Sequence, residues 1–109
     1  MTTPASAQSA LDLLVLTILS RRGQSHGYSI ANAIQETSAD ALRVDEGSLY
    51  PALHRMEEAG WITAVWSITE NKRRARLYTI TRAGAKHLAS EADRWKSFSS
   101  GVARVLRYA

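Results

Sequence analysis

Apolar residues recur along this chain with two spacings, about 3.6 and 2 residues, and the changes of spacing predict its elements. From Ser9 to Arg21 the pattern is helical, with Ser9 a candidate N-cap and Gly23 a stop signal. Leu11, Leu13, Leu14, Val15, Leu16, Ile18 and Leu19 nearly encircle that first helix. A helix apolar on every side must be covered on every side, and a partner subunit is the economical cover. Residues 1–8, rich in Thr, Ala and Ser, read as a disordered arm.

A second helix follows Ser25-His26-Gly27-Tyr28 and carries Ile30, Ala31, Ala33 and Ile34 at helical spacing up to about Thr37. Leu42 and Val44 then alternate as a very short strand would. The third helix is expected to start near Gly47 or Ser48, so that Pro51 sits in the first turn, where its missing N–H costs nothing. It ends at Gly60. Leu49, Leu53 and Met56 form its apolar stripe, while Tyr50, Pro51, His54 and Arg55 point roughly the other way.

Trp61 to Ile68 and Arg74 to Ile80 are strand-like runs rich in Trp, Ile, Val, Thr and Tyr, and the polar segment Thr69 to Arg73 makes a hairpin tip. Thr81 caps a long helix running to about Arg107. Along it Ala85, Leu88, Ala92, Trp95, Ser99, Val102 and Leu106 alternate by three and four residues, a short heptad seam suited to a dimer contact. The order is helix, helix, tiny strand, helix, hairpin, long helix. Helix–helix followed by a basic-tipped hairpin is the winged helix-turn-helix plan: mainly α with a small β-hairpin and a long C-terminal dimerisation helix. Residues 9–81 form the winged-helix region and 82–109 the dimerisation helix, in one compact domain.

Composition changes this picture little. Lys and Arg outnumber Asp and Glu by 14 to 10, a net charge of +4 that weakly favours an acidic partner such as nucleic acid. There are no cysteines, so disulfides and thiolate metal sites are excluded. The three histidines are dispersed, no carboxylate–histidine spacing suggests a metal or a general base, and the glycines occur singly. An enzyme, a cofactor and a bound metal are therefore not expected. Met1 to Ser9 lacks the charged start and cleavage pattern of a secretory signal, and the longest apolar run is too short for a bilayer. A soluble cytoplasmic protein without membrane partners is the expectation.

Several segments resemble the PadR-like family of bacterial winged helix-turn-helix regulators, in particular its short subfamily. They are Leu11-Asp12-Leu13-Leu14-Val15-Leu16, His26-Gly27-Tyr28, Glu46 to Glu57 (EGSLYPALHRME), Gly60-Trp61-Ile62, Arg73 to Tyr78 and Thr81-Arg82-Ala83-Gly84. His-Gly-Tyr alone is a weak signal; joined to Gly-Ser-Leu-Tyr-Pro-Ala-Leu and the basic hairpin at these spacings it is a strong one. Gln24-Ser25 departs from relatives that often carry a proline there. The resemblance implies a homodimeric repressor, dimerised through its first and last helices.

On that reading the partner is double-stranded DNA. Ser48 either holds a phosphate at the helix start or merely caps the helix. Tyr50 contacts a phosphate or a thymine methyl, or packs against the hairpin, and Pro51 sets the helix start and presents its ring to the groove. His54 and Arg55 are the candidates to reach base edges or phosphates, whereas Glu57 and Glu58 should lie turned away from DNA. Lys72, Arg73, Arg74 and Arg76 form the wing, suited to phosphates or a narrow minor groove. Arg76 is the least certain, since alternation turns it along the sheet. His26 and Tyr28 lie within reach of the backbone, or simply shape the turn at Gly27. Leu11, Leu14, Leu88, Ala92, Trp95, Val102 and Leu106 are the expected dimer interface. Trp95 is also the candidate wall of a pocket for an aromatic small-molecule inducer, since a flat aromatic near the two-fold axis lines a ligand pocket in some relatives. Some relatives respond to phenolic acids or planar drugs, but no feature of this sequence transfers an inducer. Trp61 and Trp66 are expected as hairpin core and hairpin surface. The rival is a winged helix used for protein–protein contact, its basic hairpin incidental.

Overall fold

The structure, a computed structural model, describes residues 7–108. Helix α1 (Ala7–Arg22) leads into a two-residue strand β1 (Ser25–His26), then helices α2 (Gly27–Thr37) and α3 (Glu46–Glu58). The hairpin β2 (Ile62–Ile68) and β3 (Arg74–Ile80) follows, and α4 (Arg82–Leu106) closes the chain. The antiparallel sheet has the order β1-β3-β2, Ser25 pairing with Tyr78 and Ile62 with Ile80.

Helix α1 starts at Ala7, a turn earlier than its apolar pattern shows. Ser9 therefore lies inside the first turn rather than at the cap, and Gln8 belongs to the helix. The rest of the expected arm, residues 1–6, lies outside the described residues. The predicted strand at Leu42 and Val44 does not form. Ala39 and Asp40 take positive φ, and the Asp40 amide returns to the Gln35 carbonyl, which turns the chain after α2. The third strand is instead Ser25-His26, too short for any period to reveal; its pairing with Tyr78 and Leu77 in β3 defines it.

Helix α1 is the centre of the fold. Val15, Leu16, Ile18 and Leu19 are at most 6% exposed, covered by α2, α3, α4 and β3 of the same chain. Its apolar circumference is thus mostly an intramolecular core rather than a subunit contact, and only its N-terminal flank, including Leu11 and Leu14, stays half-buried. Leu49, Ala52, Leu53 and Met56 of α3 pack onto that core with Ile30, Ile34 and Tyr78. Each large aliphatic buried here contributes about 1.5–3 kcal/mol.

Helix ends follow their local chemistry. Asp45 caps α3 by accepting from the Ser48 amide at 2.8 Å. After Glu58 the Trp61 amide returns to the Met56 carbonyl and the Gly60 amide to that of Glu57, a Schellman closure with Gly60 at positive φ. Thr81 caps α4 through the Gly84 amide at 3.0 Å, as expected. The first turns of α4 pack beside Trp61, whose ring stacks on His87 with centroids 3.7 Å apart. The molecule measures 56 × 29 × 23 Å, and the last turns of α4 are largely exposed, Ala103 alone among them being half-buried.

Candidate nucleic-acid interface

The outer face of α3 carries Glu46, Ser48, Tyr50, Pro51 and His54, all exposed. Since α3 begins at Glu46, Pro51 lies in its second turn, not its first. Its missing N–H leaves the Gly47 carbonyl without the usual i+4 donor. Ser48 is not the cap, because Asp45 holds that place and occupies the Ser48 amide. The carboxylates of Asp45 and Glu46 at this helix start also oppose an anion there. What Ser48 offers a phosphate is its hydroxyl alone. His54 is 71% exposed and paired with Glu58, one turn on. Glu58 thus lies beside His54 at the exposed face of α3.

Arg55 is placed differently from the expectation. Its two terminal nitrogens each donate to a carboxylate oxygen of Asp12 on α1, both at 2.8 Å, and the Asp12 side chain is only 8% exposed. Gln8, its amide oxygen turned inward, accepts from Arg55 Nε at 2.8 Å. The hydrogen bonds that Arg55 donates to Asp12 outweigh desolvation and hold the guanidinium pKa above its ordinary value. A guanidinium with both ends of its fork occupied cannot also read a guanine edge bidentately. Arg55 is therefore an anchor that fixes α3 against α1. The signal for it was Asp12, a lone carboxylate in an otherwise apolar helix stretch. An open cleft of about 490 Å³ lies beside this anchor, lined by Gln8, Leu11, Ser48, Pro51, Ala52 and Arg55.

Tyr50 packs over Gly27 at the start of α2. A Cβ on Gly27 would lie 2.9 Å from Tyr50 Oη and 3.0 Å from its Cε1. Burial, with a smaller contribution from Glu46, raises the phenol pKa, so the hydroxyl is neutral and able to donate to a phosphate. His26 donates from Nδ1 to the Arg76 carbonyl at 3.1 Å and stacks on Tyr28, which is half-exposed. Gly27→Ala is expected to push Tyr50 aside and destabilise the fold by about 1–2 kcal/mol, the low end because the tyrosine tip can move. Thermal melts and duplex affinity check this together: a variant matching the wild type in both would show that Tyr50 needs no such seat.

The hairpin tip closes through the Thr69 amide to the Arg73 carbonyl at 2.8 Å, with Lys72 at positive φ. Lys72, Arg73 and Arg74 are exposed, and among the described residues none of the three is in an ion pair. Arg76 is not a wing cation of this kind. It turns back onto α3 and donates to Glu57 at 2.7 Å, with both side chains about one-third exposed. Its charge also opposes the rise that burial produces in the Tyr78 phenol pKa. Glu57, expected from the sequence only to lie turned away from DNA, thus joins the hairpin to α3.

On α4, Leu88, Ala92 and Trp95 are half-buried, and Trp95 meets Phe98 in a tilted pair. Ala85 and Ser99 of the expected seam are exposed. Val102 and Leu106 are 41% and 80% exposed, and Val105 and Tyr108 extend the same bare end. Among the described residues no cluster of His, Asp and Glu could hold a metal ion, and no helix is long and apolar enough to cross a membrane.

A helix pair under a three-stranded sheet, with an outward-facing third helix and a basic hairpin beside it, defines a winged helix-turn-helix protein. Residues 15–90 match the transcriptional regulator PadR-like family, and the chain belongs to that family. It is 29% identical over 70 residues to the negative transcriptional regulator PadR of Bacillus subtilis, covering 64% of this chain and 38% of that one. A PadR family transcription regulator from Clostridium difficile R20291 superposes with a TM-score of 0.73 at 26% identity, covering 88% of this chain and 97% of the other. Bacillus subtilis PadR in complex with operator DNA superposes at 0.66 with 27% identity, over 74% of this chain and 44% of that one. The chain spans 38% and 52% of the length of two curated relatives that it matches.

Proposed function

We propose that this protein is a cytoplasmic, homodimeric transcriptional repressor that binds a pseudo-palindromic operator. Each subunit lays α3 in a major groove, the two half-sites about one helical turn apart, while the hairpin tip meets the flanking backbone. The observation that carries this reading is the outward face of α3 beside a tip whose three cations have no acidic partner among the described residues. The solved complex of a relative with operator DNA supports it. Tyr50, Pro51, His54 and the Ser48 hydroxyl are the groove-facing set. Arg73 and Arg74, with Lys72, supply phosphate contacts, and His26 and Tyr28 lie near the backbone. Dimerisation through α4 and the half-buried flank of α1 would cover Leu11, Leu14, Val102 and Leu106. A planar aromatic inducer would meet Trp95 at that seam.

Arg73→Ala with Arg74→Ala tests the wing. Affinity should fall for every sequence, and the slope of log affinity against log salt should flatten. At about 0.9 per lost phosphate contact, a dimer losing four contacts changes slope by up to about 3.5. An unchanged slope refutes the wing's role. No binding by the wild type at low salt, to random or to selected duplexes, favours a protein-binding winged helix instead.

A further inference from the structure

Trp66 is 61% exposed on a hairpin whose other tryptophan is stacked away, and nothing in the core calls for an indole there. Strand register places it opposite Arg76 and diagonal to Arg74, on the sheet face that Arg76 turns toward α3. The Arg74 guanidinium carbon lies 4.8 Å from the ring centroid and that of Arg76 lies 5.9 Å away. Arg76 is held by Glu57, but Arg74 has no acidic partner among the described residues and rests on the ring. Ile68, 70% exposed and opposite Arg74, continues the apolar strip toward the tip.

An exposed apolar strip rimmed by cations marks an interaction surface. A duplex backbone alternates apolar deoxyribose with anionic phosphate, and the strip offers the complement of both. We propose that Trp66 is a DNA-backbone contact of the wing. Its free surface packs on a deoxyribose, and its π face holds the Arg74 guanidinium ready for the neighbouring phosphate, with Ile68 extending the same surface. An ammonium or guanidinium over an indole is attracted by the ring quadrupole. A long side chain ordered in advance also loses less freedom when it binds. The contact is independent of base sequence, and it rests on the DNA-binding reading above.

The test compares wild type, Trp66→Leu, Trp66→Phe and Arg74→Ala on short random-sequence duplexes across a salt series. Trp66→Leu keeps every charge, so it should bind about 3- to 10-fold more weakly with an unchanged salt slope and a near-native melting temperature. Trp66→Phe should restore most of the loss, whereas Arg74→Ala should flatten the slope. In the free protein, NMR should show the Arg74 δ-protons shifted upfield by the indole, and the shift should vanish in Trp66→Leu. Wild-type affinity in Trp66→Leu overturns the proposal while leaving the DNA-binding reading standing. An absent upfield shift overturns the platform role of the ring. Failure of the wild type to bind any duplex at low salt overturns the DNA-binding reading and this proposal with it.

Discussion

Asp12→Ala is expected to destabilise the domain by about 2–4 kcal/mol, a loss that sequence pattern alone would not suggest for a polar residue. Removing one member of a buried ion pair typically costs about 3–5 kcal/mol, because the partner is left charged and unpaired. Here the Asp12 side chain is 8% exposed but that of Arg55 is 36% exposed, so water recovers part of the cost. At roughly 4–8 °C per kcal/mol for a domain of this size, the melting temperature should fall by about 8–30 °C. Circular dichroism melts check this directly. Asp12→Leu combined with Arg55→Met should recover most of the loss, since an apolar pair of similar volume removes both buried charges. A fall below about 1 kcal/mol in Asp12→Ala would show that the core alone seats α3. The consequence reaches the proposed function because α3 carries the residues proposed to face the groove and α1 carries its anchor. Loosening that anchor should weaken duplex binding even at temperatures where the variant stays folded.

The same pair shows how much of this protein was legible in its sequence. Period and punctuation placed α2, both hairpin strands, the cap at Thr81 and the stops at Gly23 and Gly60, because each is decided within a few residues. The two faces of α3 were equally plain: Leu49, Leu53 and Met56 are buried, and Tyr50, Pro51 and His54 are exposed. What failed depended on partners far along the chain. Strand β1 exists only because β3 lies beside it, and the encircled surface of α1 is filled by α2, α3, α4 and β3 rather than by a subunit. Arg55 and Arg76 looked like free cations because their acceptors, Asp12 and Glu57, lie 43 and 19 residues away. Two of the expected DNA-contacting arginines thus fix the geometry in which His54, Arg73 and Arg74 are presented. The start of α3 was misplaced for another reason. Proline at the first helical position is a preference, and the stronger local signal was Asp45, three residues before Ser48.

Gly84→Ala should be the most damaging single-methyl change in the chain, although it improves intrinsic helix propensity. In an open helix interior, alanine gains about 1 kcal/mol over glycine. At position 84 the added Cβ would fall far inside van der Waals contact distance of the Trp61 carbonyl oxygen, and 2.9 Å from Ile80 Cγ1. The carbonyl is backbone and cannot step aside, for it accepts from the Thr81 amide at 3.0 Å, the bond that seats the start of α4. Either α4 lifts from the sheet or that bond breaks. Overpacking typically costs about 1–3 kcal/mol and occasionally more, and a rigid backbone neighbour places this site at the upper end. A net loss of about 2–4 kcal/mol is expected after the propensity gain. Gly101 is the internal control, since a Cβ there meets nothing within 4 Å, so Gly101→Ala should stabilise slightly. Because the start of α4 also supports the stacked Trp61–His87 pair, Gly84→Ala should change the tryptophan emission of the native state. Equal melting temperatures for Gly84→Ala and Gly101→Ala would mean that α4 is free to shift on the sheet. The orientation of α4 relative to α3 would then not be fixed by this contact.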